Sequence, residues 1–236
     1  MSSTYFWLIF PAVVMLSGGI LTTFWHPQKT LISLVQHFAA GIILAALTIE
    51  VFPEMRSTNI SPITLIGSFT LGTLFMYGIK LLGDHLESDA KSEIARQQLN
   101  FGFIITVFID AILDGITIGA GFAAGEKVGF ALALGLSVEM LFLGMSLISD
   151  TLKGMRVLQM SAGLSFTILI SALLGYYLLS NASSTTIAIA LAFSAAALLY
   201  LVTEELLIEA HKSEEEPYSM LVLFSGFIIF WIISLL

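Results

Sequence analysis

The sequence predicts an all-α integral membrane protein, and two observations carry that prediction. Of the 236 residues, 57% are hydrophobic and only 11% are charged, whereas about 25% of the residues in soluble domains are charged. The apolar residues also gather in runs of roughly 20, the length at which a helix crosses a bilayer. We therefore expect a multi-pass protein of a cell membrane, plasma or inner, surrounded by lipid.

Eight apolar runs predict eight transmembrane helices. The predicted spans cover about residues 5–24, 31–53, 62–83, 100–124, 128–149, 157–180, 186–209 and 217–236. The longest break between them is the charged stretch at about 84–98. Because no break is long enough for a soluble domain, we expect residues 1–236 to form a single transmembrane domain. The first run lacks the basic start of a cleaved signal peptide and is counted as a span.

The positions of Lys and Arg predict the orientation. The side of the membrane that follows spans 1, 3, 5 and 7 holds Lys29, Lys80, Lys91, Arg96, Lys153, Arg156 and Lys212. The opposite side holds only Arg56 and Lys127. Because cytoplasmic loops are enriched in basic residues, both termini are predicted to lie outside and the 84–98 loop in the cytoplasm.

A faint internal repeat predicts an inverted architecture. Residues 48–54 read TIEVFPE and residues 203–209 read TEELLIE, and both fit T-x-E-x-x-x-E. The predicted spans that carry them run in opposite directions, as in many secondary transporters with inverted repeats. A chance match between two alanine- and leucine-rich helices is the alternative. In this register Glu54 falls near the outer mouth of the bundle and Glu209 near the inner one.

Acidic residues without basic partners lie inside the predicted spans. They are Glu50, Asp110, Asp114, Glu139, Glu204 and Glu205. A charge at the centre of a membrane helix costs about 2.5–3.5 kcal/mol even on a lenient scale. A buried carboxylate without a counter-charge is protonated, hydrated or bound to a cation. Protonated acids that only hydrogen-bond to neighbouring helices are the structural alternative, but the repeated cost disfavours it for the whole set.

The spacing of these acids predicts that they meet in the bundle. Asp110 and Asp114 are four residues apart, so they lie on one face of a helix, and Thr117 continues that face. Glu139 lies in the middle of the fifth span, and Glu205 repeats the four-residue spacing with Glu209 on the seventh. Three helices would thus bring carboxylate oxygens together, and such oxygens are ligands for divalent cations.

Two further residues leave two interpretations open. Glu204 borders the charged run that leaves the membrane, so solvation at a helix end is as reasonable as a ligand role. His37 lies near the cytoplasmic start of the second span, where an interfacial histidine is the favoured interpretation. Together with Glu50 and Glu54, they are the candidates for an entrance or secondary site.

Two motifs resemble those of the ZIP family of divalent-metal transporters. HFAAGIILAALTIEVFPE (37–54) is similar to that family's second span, which typically has an H-x-x-A-G start and a PE end. DAILDGITIGAGF (110–122) resembles its fourth-span motif, H-N-x-P-E-G-x-x-I-G-x-x-F. In that alignment Asp110 takes the histidine position and Asp114 the glutamate position.

Two shorter segments extend the resemblance. EMLFLG (139–144) lies where the family has a second such motif, with Glu139 and Met140 at the first two ligand positions. TEELLIEA (203–210) resembles the seventh-span H-E-x-x-P-E-A, with Glu204 for the histidine and Glu205 and Glu209 for the glutamates. No histidine remains at the motif positions of spans 4, 5 and 7, and the prolines of spans 4 and 5 are absent.

The resemblance implies eight helices in a 3+2+3 arrangement and transport of a divalent metal ion as substrate, without an organic cofactor. The implied ligands are Asp110, Asp114, Glu139, Met140, Glu205 and Glu209. Oxygen in place of imidazole shifts preference from Zn²⁺ and Cu²⁺ toward Mn²⁺, Mg²⁺ or Ca²⁺, with Fe²⁺ intermediate. A homodimer is compatible with the resemblance.

Other functions remain open at this point. A row of acids also suits a proton relay, and a relative that binds metal without transporting it is a further alternative. An intramembrane aspartyl protease needs two aspartates on different helices, whereas Asp110 and Asp114 share one, so we predict a protein that is not an enzyme. The nine Lys and Arg residues form no patch for nucleic acid. The absence of cysteine excludes disulfides and thiolate metal sites.

Overall fold

The computed structural model describes residues 2–25, 27–58, 60–89, 101–147, 154–211 and 218–236. These residues form α-helices and two π segments, and no strand occurs among them. The helices are α1 (Ser2–Phe24), α2 (Lys29–Ala46), α3 (Phe52–Ser57), α4 (Pro62–Asp89), α5 (Phe101–Ala124), α6 (Glu126–Ser146), α7 (Met155–Leu179), α8 (Ser184–Leu201), α9 (Leu207–His211) and α10 (Ser219–Leu235). The predicted all-α architecture is confirmed.

The helices have the length and composition of a membrane bundle. In the described part of the chain, seven helical stretches are long and apolar enough to cross a bilayer. The remaining apolar helix, α10, has 17 residues, slightly fewer than the roughly 20 of a full span. The structure therefore supports a multi-pass membrane protein, and the count of eight spans stays a prediction.

The end of α4 differs from the predicted loop at 84–98. Residues 84–89 continue the helix to Asp89, while residues 90–98 lie outside the described residues. Hydropathy marks where a segment leaves the membrane, whereas polar residues such as Glu87 can extend the same helix into water. Four of the basic residues that predict the orientation also lie outside the described residues, so the placement of both termini outside stays a prediction. They are Lys91, Arg96, Lys153 and Lys212.

Glycines hold α1 against α6 and α5 against α7. A Cβ on Gly144 of α6 would lie 2.5 Å from the carbonyl oxygen of Met15 in α1. A Cβ on Gly115 of α5 would lie 2.7 Å from the carbonyl oxygen of Ile168 in α7. Small residues allow this approach of backbones, which replaces the missing hydrophobic driving force between helices in lipid. α1 also packs on α7, and α5 on α6, so these four helices form one group.

The remaining long helices form two further close pairs. In α2 the backbone of Gly41 lies directly against the backbone of Leu223 in α10. In α4 a Cβ on Gly72 would lie 2.6 Å from the carbonyl oxygen of Phe193 in α8. These pairs pack on the central group through contacts of α2 with α6 and of α4 and α8 with α5.

Two π segments interrupt the helices at the two copies of the sequence repeat. The first, Leu47–Val51, separates α2 from α3, and the second, Val202–Leu206, separates α8 from α9. In the alignment of TIEVFPE with TEELLIE, each π segment begins one residue before the threonine. Single π turns inside α-helices are often found at functional sites, and here each turn carries a glutamate of the repeat, Glu50 or Glu205.

The threonines of the repeat make equivalent hydrogen bonds. Thr48 donates through Oγ1 to the carbonyl oxygen of Leu44 at 2.8 Å. Thr203 donates in the same way to Leu199 at 2.9 Å, and Leu44 and Leu199 occupy the same position in the repeat. The two copies therefore share a local structure as well as a spacing of residues.

Candidate metal centre

Three carboxylates come together in the interior between α5 and α6. One carboxylate oxygen from each of Asp110, Asp114 and Glu139 lies within 4.8 Å of the other two. Asp114 and Glu139 are 3% and 4% exposed, and Asp110 is partly buried. Because oxygen ligands lie about 2.0–2.6 Å from a divalent cation, two ligands of the same ion are at most about 5 Å apart. The spacing of the three oxygens therefore fits one ion.

The turn between α5 and α6 places the three acids at one depth. Asp110 and Asp114 precede Gly125 by 15 and 11 residues, and Glu139 follows it by 14, from their positions in the sequence. Near the turn, a Cβ on Gly121 would lie 3.1 Å from the Cα of Gly129. Since the two helices run back along each other from Gly125, residues at similar distances from the turn face each other. Of the acids that the sequence predicts to meet, the structure brings Asp110, Asp114 and Glu139 together.

Two oxygens of the cluster are left without hydrogen-bond partners. Asp114 Oδ2 and Glu139 Oε2 are buried and accept no hydrogen bond from the described residues. An unsatisfied buried group costs about 1–3 kcal/mol, and more when it is charged. A bound cation would supply the missing partner to both oxygens at once.

Glu205 connects this cluster with the surface of the chain. It lies outside the group of three but close enough for charge–charge interaction with Asp110, Asp114 and Glu139. Its side chain is exposed, whereas those of Asp114 and Glu139 are buried. The second π segment therefore extends a line of carboxylates from the interior toward one side of the bundle.

Among the predicted ligands, the structure describes the side chain of Met140 but not that of Glu209. Met140 is fully buried and belongs to an apolar cluster with Met15 and Ile168. Its role as a sulfur ligand beside Glu139 stays a prediction. Glu209 belongs to α9, but its side chain lies outside the described ones.

The predicted entrance residues Glu50 and Glu54 lie apart from the group of three. Glu50 is partly buried in the first π segment. Glu54 lines a small cavity of about 60 Å³ together with Ala124 at the end of α5 and Leu191 in α8. Ala124 ends α5, whose middle carries Asp114, so this cavity opens at one end of the bundle on the helices that lead to the cluster.

His37 and Glu204 also occupy defined positions. The ring of His37 is fully buried, and its Nδ1 lies 2.8 Å from the carbonyl oxygen of Ser33. Glu204 forms an ion pair with Lys80 of α4. The expectation that Glu204 lacks a basic partner is therefore wrong, because Lys80 reaches it from α4. In the sequence, Lys80 serves only as a charge that indicates orientation.

A buried hydroxyl pair lies beside the cluster. Thr117 donates through Oγ1 to Oγ of Ser194 at 3.0 Å and so links α5 to α8. Thr117 continues the helix face of Asp110 and Asp114, as predicted, but Ser194 was not singled out. The available signal was its position as the only hydroxyl in the run IAIALAFSAAALL (187–199).

No protein-family model matches the chain, and no curated protein matches it.

Proposed function

We propose that this protein carries a divalent metal ion across the membrane toward the cytoplasm, with Asp110, Asp114 and Glu139 as the central ligands. The observation that carries the proposal is the pair of unpartnered buried oxygens in a group whose spacing fits one ion. A site made only to join helices would satisfy its oxygens with donors from neighbouring helices. The resemblance to ZIP transporters adds a transport role for the same residues.

The donor set favours a hard cation. The three central ligands offer carboxylate oxygen. No histidine stands at the ZIP motif positions of spans 4, 5 and 7, and the chain has no cysteine. Mn²⁺, Mg²⁺ and Ca²⁺ prefer such oxygens, whereas Zn²⁺ and Cu²⁺ bind imidazole and thiolate well. We infer a substrate of the Mn, Fe or Zn class with a reduced preference for zinc.

The helix pairing supports eight spans in an inverted 3+2+3 arrangement. A twofold axis that exchanges the first three spans with the last three also exchanges the fourth with the fifth. In helix labels, the axis exchanges α1 with α7 and α6 with α5, so the pair of α1 and α6 becomes the pair of α7 and α5. It also exchanges α2 with α8 and α10 with α4, so the pair of α2 and α10 becomes the pair of α8 and α4. Both members of each set occur as close pairs, and inverted repeats are typical of alternating-access transporters.

The path that we propose follows the acidic residues. Cations enter near Glu54, bind among the three central carboxylates and leave past Glu205 and Glu209. The protein works in a plasma or inner cell membrane, as a monomer or a homodimer, and performs no chemical reaction on its substrate.

Metal flux in proteoliposomes tests the proposal. Wild-type protein is expected to take up Mn²⁺, whereas Asp114→Ala loses uptake because it removes a central ligand. Glu126→Ala is the matched control, since Glu126 is an exposed acid at the start of α6, close to the turn and away from the cluster. Equal flux in wild type and Asp114→Ala would overturn the site. Strong Zn²⁺ flux without Mn²⁺ flux would overturn the selectivity.

Proton movement is a second candidate function, because the acids continue from the buried cluster to the exposed Glu205. A pH-sensitive dye inside the liposomes separates the two. Acidification that needs no metal and survives chelation would favour the proton relay, whereas stoichiometric metal binding without flux would favour a non-transporting relative.

A further inference from the structure

The contact between α4 and α8 fixes the position of Lys80. Ser68, Gly72 and Lys80 are separated by four and eight residues, so they lie along one inclined ridge of α4. Ser68 donates through Oγ to the carbonyl oxygen of Ile189 at 2.7 Å, and Gly72 lies against Phe193. The residue numbers of these contacts increase along both helices, so α4 and α8 run parallel. Lys80 therefore lies beside the second π segment, which follows α8.

Lys80 lies near two neighbouring glutamates of that segment. Its ammonium forms an ion pair with Glu204 and is close enough to Glu205 for charge–charge interaction. The side chains of Lys80 and Glu204 are 42% and 37% exposed, so the pair lies at the surface of the bundle. An exposed pair contributes little stability, and the long lysine side chain can exchange one partner for the next.

The carboxylates of the proposed metal site repel one another when they are ionised and no metal ion is bound. Asp110, Asp114, Glu139 and Glu205 interact electrostatically, and like charges in a low-dielectric interior repel each other strongly. A divalent ion relieves that repulsion while it is bound. When the ion leaves, the nearest cation on the described part of the chain that reaches one of these acids is Lys80.

We propose that Lys80 is a tethered cation that competes with the transported metal. With metal bound, its ammonium stays on Glu204; after the metal leaves, it moves to Glu205 and offsets part of the negative charge of the empty site. The inference rests on the proposed function, since it needs a metal that comes and goes.

Mn²⁺ affinity measured by isothermal titration calorimetry in lipid nanodiscs tests the competition. Lys80→Gln removes the competitor, so the Kd for Mn²⁺ falls by about twofold to fivefold, the range expected for an exposed ion pair. Glu204→Asp keeps the charge but shortens the side chain that retains Lys80, so the Kd rises. Lys80→Arg, which keeps the charge, is the matched control and changes the Kd least.

A double-mutant cycle separates competition from simple long-range attraction. Glu204→Gln raises the Kd because Lys80 then stays on Glu205. In the variant Lys80→Gln/Glu204→Gln that increase disappears, and the Kd equals that of Lys80→Gln. Additive effects of the two changes, or a rise in Kd for both single variants, would overturn the competition.

The second readout compares net Mn²⁺ uptake with Mn²⁺/Mn²⁺ exchange in the Lys80→Gln variant. Without the tethered cation, the empty carrier returns more slowly, so net Mn²⁺ uptake falls in Lys80→Gln while Mn²⁺/Mn²⁺ exchange persists. Equal loss of both activities would contradict the inference. Wild-type protein that neither binds nor moves Mn²⁺ or Zn²⁺ would remove the proposed function and this inference together, whereas normal wild-type transport with an additive cycle removes only the role of Lys80.

Discussion

Asp114 and Glu139 lie on consecutive helices, and each buries one carboxylate oxygen that accepts no hydrogen bond from the described residues. Both side chains also belong to the group whose oxygens lie within 4.8 Å of one another. Two ionised acids in this arrangement destabilise the metal-free protein, and the same two oxygens would hold the proposed cation. The proposed function therefore predicts that stability and metal affinity are opposed at these two positions.

Asp114→Asn tests that opposition. The amide has nearly the same shape without the charge, so the metal-free variant is expected to unfold at a higher temperature than wild type. Wild type gains about 2.7 kcal/mol when the free metal is at 100 times its Kd, and the variant loses this gain. Thermal unfolding with Mn²⁺ and with chelator measures both effects. A variant that is less stable without metal and still stabilised by Mn²⁺ would show that Asp114 has a structural role.

Asp110→His tests the origin of the metal preference. Asp110 stands where the ZIP motif has histidine, and an imidazole favours Zn²⁺ over Mn²⁺. We expect the ratio of Zn²⁺ to Mn²⁺ affinity to rise about tenfold, which corresponds to about 1.4 kcal/mol. Competition binding with both metals gives the ratio. Asp110→Asn is the control, because it removes the charge without adding an imidazole, and an equal rise in that variant would assign the effect to charge alone.

Gly41→Ala tests the close contact of α2 with α10. The added methyl group meets the backbone of Leu223, which cannot move away as a side chain can. Overpacking of this kind costs about 1–3 kcal/mol, so the variant is expected to unfold at a lower temperature. Gly67→Ala is the matched control, because nothing lies within 4 Å of its added Cβ. Equal unfolding temperatures for the two variants would contradict the contact.

Thr117→Val tests the hydroxyl pair between α5 and α8. The substitution keeps the shape and removes the hydrogen bond to Ser194. Hydrogen bonds between membrane helices contribute about 0.6 kcal/mol on average, so we expect a loss of that size. A double-mutant cycle with Ser194→Ala isolates the pair, and a coupling energy of zero would show that the two hydroxyls do not depend on each other.

Much of the central site was predictable because it depends on local spacing. The four-residue spacing of Asp110 and Asp114 fixes a common face, and the short turn at Gly125 brings Glu139 to the same depth. The two π segments begin at equivalent positions of the repeat. The sequence did not predict them, since the spacing of Thr48 and Glu50 also suits a regular α-helix.

The ion pair of Lys80 with Glu204 could not be predicted from the sequence, for a different reason. It depends on the parallel contact of α4 with α8, which no local pattern encodes. The helical extension of α4 to Asp89 was missed because polar residues end an apolar run without ending a helix.

The contact of Gly41 with Leu223 has a consequence for the synthesis of the chain. α2 leaves the ribosome well before its close partner α10. The glycine face of α2 therefore stays in contact with lipid or with a chaperone until α10 is inserted. A chain that stops before residue 219 leaves that face uncovered. The surface that cellular quality control recognises would then lie on α2, far in sequence from the truncated end.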